Sequence, residues 1–258
     1  MILTIVGCSG SVAGPESAAS CYLLEANDGA RPWRVVFDLG SGAVGPLQRY
    51  VEMGAIDAVL LSHSHPDHAA DAQALSVALR YGYPDPLRDA LPLYGPTGIG
   101  EVLSELDAAS AFVVTELHPT PVQTVSLAIG PLTITVAPAW HPVPALAFRV
   151  DGPAEDGGRA TFTYTGDTDR TEPIDALAEG VDLLLAEAGW AQGDTPEGRD
   201  GVHLTGRQAG ELARDARPGR LVLTHIPPWG DREATSIKAR AVFDGSVDLA
   251  TVGVRFAL

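Results

Sequence analysis

Apolar positions in this chain come in short bursts, each closed by glycine, proline or a charged cluster. Residues 132–138 alternate, with Leu132, Ile134 and Val136 against Thr133 and Thr135, the period of a half-buried strand. Residues 56–61 are apolar almost throughout, as in a strand covered on both faces. The same reading predicts strands over 1–6, 20–25, 33–38, 92–94, 112–117, 124–129, 145–150, 160–164, 181–187, 220–224, 247–250 and 254–256. Helices are predicted over 69–80, 97–108, 172–178 and 232–243, and another starts at Thr205, where Thr205 and Gln208 fit a reciprocal cap. Asn27-Asp28-Gly29 and Asp156-Gly157-Gly158 read as turns, and 81–91 and 189–201 as loops. His118 lies in the rigid run His118-Pro119-Thr120-Pro121 and reads as a surface histidine.

Composition narrows the class. Hydrophobic residues make up 45% of 258, enough for a sizeable core. No linker, low-complexity segment or short repeat interrupts the chain, so residues 1–258 are expected to form a single domain. A formal charge of −16 opposes a partner held mainly through a phosphate backbone, because no counterion-release term favours it. Cys8 and Cys21 are too few for a disulfide framework and are expected to be free thiols. The apolar start, residues 1–6, is too short for a signal peptide, and no run approaches a membrane span, so a soluble, cytoplasmic protein is expected.

One stretch carries most of the chemistry. Ser62-His63-Ser64-His65-Pro66-Asp67-His68 sets three imidazoles and a carboxylate on a turn from a strand end to a helix start. His63 and His65, two apart, can point the same way off an extended turn. The proline bend lets Asp67 and His68 face a second point, so one stretch can seed two adjacent cation positions. His141, Asp167 and His225 each follow an apolar strand in the same manner, and ligands at strand ends converge on one sheet edge. The grouping expected is His63, His65 and His141 for one ion, and Asp67, His68 and His225 for the other, with Asp167 between them. Imidazole and carboxylate without thiolate suit zinc foremost, and also manganese or iron. Asp38, at a strand end before Leu39-Gly40, either caps a helix or orients a metal-bound histidine. The loop Gly7-Cys8-Ser9-Gly10-Ser11-Val12-Ala13-Gly14 could cradle a phosphate or simply make a tight sheet-end turn.

The series His63-x-His65-x-Asp67-His68, His141, Asp167 and His225 resembles the complete ligand set of metallo-β-lactamase-fold hydrolases. The resemblance covers essentially the whole chain and implies an α/β fold, an αβ/βα sandwich of two mixed β-sheets with outer helices. Thr165-Gly166-Asp167-Thr168, His203-Leu204-Thr205 with Gln208-Ala209, and Leu223-Thr224-His225 resemble the phosphodiesterase branch near ribonuclease Z. More narrowly, Gly7-Cys8-Ser9-Gly10-Ser11, Ala186-Glu187-Ala188-Gly189-Trp190 and the run from Leu223 to Trp229 are similar to atypical class II-like bacterial cyclic-AMP phosphodiesterases. Ribonuclease Z carries a long arm for transfer RNA between the positions matching His141 and Asp167, whereas 25 residues intervene here.

The resemblance implies a binuclear metal-dependent hydrolase of a small phosphodiester, a 3',5'-cyclic nucleotide such as cyclic AMP first. His203 would protonate the leaving oxygen and Asp67 would serve as ligand and catalytic carboxylate, while Asp38 and Glu187 would support the ligands. Related enzymes suggest a homodimer. Trp140, Trp190 and Trp229 flank the site loops and either pack or stack on a base. Other activities on the same fold are ribonuclease Z-like RNA 3'-end processing and thioester or lactone hydrolysis. The His203-x-Thr205 element argues against the thioester reading. A diiron reductase would have an acidic residue in place of His65, and a dead binding platform should have lost ligands.

Overall fold

In a computed structural model, which describes residues 1–82, 90–190 and 200–258, the chain builds two facing mixed sheets in sequence order. The first contains β1 (Ile2–Ser9), a two-residue β2 (Ala18–Ala19), β3 (Cys21–Asn27) and β4 (Pro32–Phe37), followed by β5 (Ala58–Leu60), β6 (Leu91–Pro96) and β7 (Phe112–Leu117). β1, β3 and β4 pair antiparallel, whereas β4, β5, β6 and β7 pair parallel. Parallel neighbours need crossovers, and these contribute α1 (Val44–Leu47), α2 (Pro66–Ala69), α3 (Ala72–Tyr81) and α4 (Ile99–Glu105).

The second sheet repeats the plan. β8 (Val125–Ile129), β9 (Leu132–Ala139), β10 (Ala145–Pro153) and β11 (Arg159–Tyr164) form an antiparallel meander. β12 (Leu183–Glu187), β13 (Arg220–Thr224) and β14 (Ser246–Leu249) then add in parallel through α5 (Glu172–Ala178), α6 (Gly206–Ala216) and α7 (Arg232–Arg240). A last strand, β15 (Arg255–Ala257), returns to the outer edge of β1. The orders are β15-β1-β3-β4-β5-β6-β7 and β14-β13-β12-β11-β10-β9-β8.

Strand periodicity decides where each residue goes. Along β4, Val35 and Phe37 enter the core between the sheets, while Val36 joins Leu47, Leu75 and Ile99 on the helix side. Along β12, Leu183 and Leu185 face the first sheet, and Leu184 packs with Ile174, Leu212 and Val247. Both sheets are thus covered on two faces, giving four layers, αβ/βα. This double burial explains why the parallel strands read as nearly unbroken apolar runs. Phe37 makes edge contacts with Phe148 and Phe162 at ring-centre distances of 5.6 and 5.7 Å.

The expected elements appear with shifted bounds. The helix predicted over 69–80 is α3, beginning at Ala72, and a separate short helix, α2, precedes it. This short helix starts at Pro66, in the first-turn position where proline is tolerated, after an extended His65. It stops because the Asp71 amide donates to Leu39 O and the Asp71 carboxylate accepts the amides of Gly42 and Val44, fixing a turn of the preceding crossover. The helices predicted over 97–108 and 232–243 are shorter, ending at Glu105 and Arg240. Helix α1 is unpredicted, since four residues carry too little periodicity to be seen. The loops expected over 81–91 and 189–201 fall largely on residues 83–89 and 191–199, outside the described residues. Among the described residues no helix is long and apolar enough to cross a membrane.

Phe37 is fully buried where the two sheets meet. Phe37→Ala should lower unfolding free energy by about 3–5 kcal/mol, read as a lower urea midpoint, and Phe37→Leu should cost clearly less.

Candidate metal centre

Six of the seven histidines gather at one edge of the facing sheets, beyond the ends of β5, β9, β11, β12 and β13. The parallel strands fix this. Each runs into the same edge and delivers a residue there within three positions of its end: His63 after β5, Asp167 after β11, and His225 directly after β13. The seventh, His118, is exposed, with its Nδ1 2.8 Å from Thr97 Oγ1.

His225 and Asp38 both have left-handed backbones, φ +56° and +59°. Such conformations in non-glycine residues persist only where the surroundings enforce them. For His225 the enforcing elements are its amide, which donates to Cys8 O at 3.1 Å, and the Gly10 amide, which donates to Ile226 O at 3.2 Å. A Cβ on Gly10 would lie 2.2 Å from the His225 carbonyl oxygen. Gly10 therefore allows close backbone approach behind His225, and Gly7, Cys8 and Ser9 of the glycine-rich stretch are the end of β1 and not part of a loop. Cys8 and Cys21 are free and buried.

The donor atoms form two groups. His65 Nδ1 lies 3.0 Å from His63 Nε2 and 3.1 Å from His141 Nε2. His141 Nδ1 donates to Val202 O at 2.8 Å, which leaves the lone pair on Nε2, aimed into the group. Burial, followed by charge repulsion among the rings, pushes the His63 pKa well below its ordinary value, and burial likewise lowers those of His65 and His141. Three neutral imidazoles with converging lone pairs have no proton to share between them. The three nitrogens lie close enough to be shared by one cation.

The second group joins Asp67, His68, Asp167 and His225, all buried. His225 Nε2 is 3.0 Å from Asp67 Oδ2 and 3.3 Å from Asp167 Oδ2, and His68 Nε2 is 3.3 Å from Asp167 Oδ1. Burial disfavours ionised Asp67 and Asp167. For Asp67 the hydrogen bonds and charges of His225 and His68 win, and for Asp167 the charges of the same two rings do, so both pKa values are depressed. His68 Nε2 and Asp167 Oδ1 are buried without a hydrogen-bond partner among the described residues. A divalent cation satisfies both at once, so this donor set fits a metal ion. Asp167 Oδ2 is also 3.7 Å from His63 Nε2, which puts this carboxylate between the groups.

Supporting carboxylates fix the rings. Asp38, fully buried, accepts from His68 Nδ1 at 2.7 Å, Ser62 N at 2.6 Å, Ser62 Oγ at 2.8 Å and Tyr164 OH at 2.6 Å. It orients a histidine and caps no helix, which decides between the alternatives open from sequence. Glu187, also fully buried, accepts from Thr168 N and Gly189 N, both at 2.8 Å, and from His203 Nδ1 at 3.0 Å. Burial opposes charge on His203, but Glu187, through charge and this hydrogen bond, and then Asp167 outweigh it and push the pKa up to about 9. The His203 ring lies 5.4 Å from that of His141 and 5.3 Å from that of His225, so it adjoins both groups. Trp190 packs edge-on against it at 5.2 Å.

All ten residues singled out from sequence thus meet in one place. Sequence reasoning missed Tyr164 and Ser62. Ser62 opens the histidine stretch and could have been flagged there, but a tyrosine ending an apolar strand gives no signal.

Two outcomes test this geometry. Asp38→Asn, nearly isosteric, should weaken cation affinity about 10–100-fold in chelator competition, because His68 loses the acceptor that fixes its tautomer. In metal-free protein the His203 ring should titrate near pH 9 by NMR, and Glu187→Gln should bring it down towards 6.5. Since the folded value lies above the ordinary 6.5, this group's stabilisation is complete below about pH 6.5 and is lost as pH rises through 9.

The chain matches the family described as "Beta-lactamase superfamily domain" over residues 33–226. The uncharacterized protein Rv1339 of Mycobacterium tuberculosis is 39% identical over 95% of this chain and 88% of its own. The probable metallo-hydrolase YhfI of Bacillus subtilis is 30% identical over 98% of each chain. The YhfI crystal structure, described as a metallo-beta-lactamase fold protein, matches with a TM-score of 0.83 over 99% of this chain and 98% of that one, at 31% identity. A ribonuclease Z of Halorubrum lacusprofundi is 28% identical over 94% of this chain and 92% of that protein. With the four-layer fold and the converging histidines, these matches establish that the chain belongs to the beta-lactamase superfamily, as a metal-dependent hydrolase of the metallo-β-lactamase fold.

Proposed function

We propose that the chain is a two-metal phosphodiesterase acting on a small phosphodiester, a 3',5'-cyclic nucleotide such as cyclic AMP foremost. The observation behind this reading is the Glu187–His203 pair beside both donor groups, a protonated imidazole next to paired cation positions. His63, His65 and His141 would hold one ion and Asp67, His68 and His225 the other, with Asp167 shared. Bound there, divalent ions, zinc foremost with manganese or iron also suited, supply Lewis acidity and offset phosphoryl charge.

The remaining steps belong to the chain's own side chains. Asp67, held ionised by its histidine neighbours, orients the attacking water and takes up its proton as the water oxygen bonds to phosphorus. The bond from phosphorus to the departing ribose oxygen breaks, and that oxygen takes the proton from His203 Nε2. Nδ1 keeps its proton on Glu187 Oε1, so the ring passes from cation to neutral without turning. Trp190 and the Thr168 amide hold ring and carboxylate in place meanwhile.

Ribonuclease Z-like processing of RNA 3' ends is a second reading, favoured by the relative of that name. Two features weigh against it. The charge of −16 disfavours a polyanion. The whole interval between His141 and Asp167 is the β10–β11 hairpin and its flanks, with no arm.

His203→Ala should lower kcat on cyclic AMP about 10²–10⁴-fold with metal content unchanged. Cyclic AMP, cyclic GMP, bis(p-nitrophenyl) phosphate and a thioester form the deciding panel. Turnover of the thioester alone, or of cyclic AMP unchanged in His203→Ala, would overturn the reading.

A further inference from the structure

We propose that Trp140 is a specificity-determining residue, a preformed platform on which the base of a bound nucleotide stacks. This deepens the phosphodiesterase reading and rests on it. Trp140 immediately precedes His141, a member of the first donor group, yet its side chain is 50% exposed. The indole thus presents apolar surface to solvent beside the buried donor cluster.

The indole is held firmly all the same. Gly201, with φ +74°, lies directly against it, and a Cβ there would sit 2.4 Å from Nε1 and 2.6 Å from Cε2. No other residue type lets backbone and ring approach so closely. Gly201 is itself anchored, its amide donating to Asp169 Oδ2 at 2.9 Å, while the Asp169 amide donates to Trp140 O at 3.0 Å. The Trp140 amide donates to Thr168 Oγ1 at 3.0 Å. The next residues along, Val202 and His203, respectively receive His141 Nδ1 and supply the proposed acid. The segment Gly201–His203 therefore touches the indole at one end and carries the proton donor at the other, and the ring of His141, next in sequence to Trp140, lies 5.4 Å from that of His203.

That arrangement fits a nucleotide whose phosphate lies at the donor groups and whose base reaches the rim. Stacking on an aromatic face needs no hydrogen-bond readout, so adenine and guanine would both be accepted. Trp190 does not compete for the role, because its ring is spent on His203 and its Nε1 is buried.

The test is calorimetric binding of AMP and of ribose 5-phosphate to the zinc-loaded full chain, as wild type, Trp140→Phe and Trp140→Ala. Ribose 5-phosphate keeps the sugar and phosphate and lacks the base. AMP should bind wild type and Trp140→Phe alike and Trp140→Ala about five- to a hundredfold more weakly. Ribose 5-phosphate should bind all three equally. Equal loss of both ligands in Trp140→Ala, unchanged AMP binding there, or no AMP binding by wild type would each overturn the proposal. AMP binding that depends on Trp140, in a protein that cleaves no phosphodiester, would sink the phosphodiesterase reading and leave the stacking platform standing.

Discussion

A single buried carboxylate, Asp38, sets the geometry from which the rest of the site follows. A charge with no water around it is costly unless donors surround it. Here the donors come from the turn after β5, from His68 in α2, and from Tyr164 at the end of β11 in the opposite sheet. Satisfying that one group therefore fixes the separation of the sheets, the path of the histidine turn and the tautomer of His68. Glu187 does the same on the other side, tying the Thr168 amide, the Gly189 amide and His203 to one point.

The converging donor atoms work against these anchors. Neutral imidazoles with lone pairs face one another, and ionised carboxylates share a dry pocket with unpartnered ring nitrogen. The left-handed backbones at Asp38 and His225 show strain maintained by neighbours, as the Cys8 and Gly10 contacts to the His225 strand end illustrate.

What the sequence made legible is whatever is local. His63, His65, Asp67 and His68 sit within six residues, and their turn between strand and helix can be read without a fold. That His141, Asp167 and His225 join them follows from one shared habit, a polar residue straight after an apolar strand. Long-range hydrogen bonds were invisible. The break between α2 and α3 depends on Leu39 O and on Asp71 reaching back to Gly42 and Val44. Tyr164 acts on a carboxylate 126 residues away, and nothing in an apolar strand announces it. Asp38 could be suspected from its strand-end position, but choosing between cap and support required the ring it faces.

The donors also come from both sheets. Asp67 and His225, 3.0 Å apart, are separated by 158 residues of chain. An ion held by both would act as a rivet, closing most of the polypeptide into one loop and penalising any opening of the sandwich. Its affinity adds to the resistance of the folded form in proportion to the logarithm of free ion. Scarcity of that ion would then lower the chain's resistance to unfolding along with its activity.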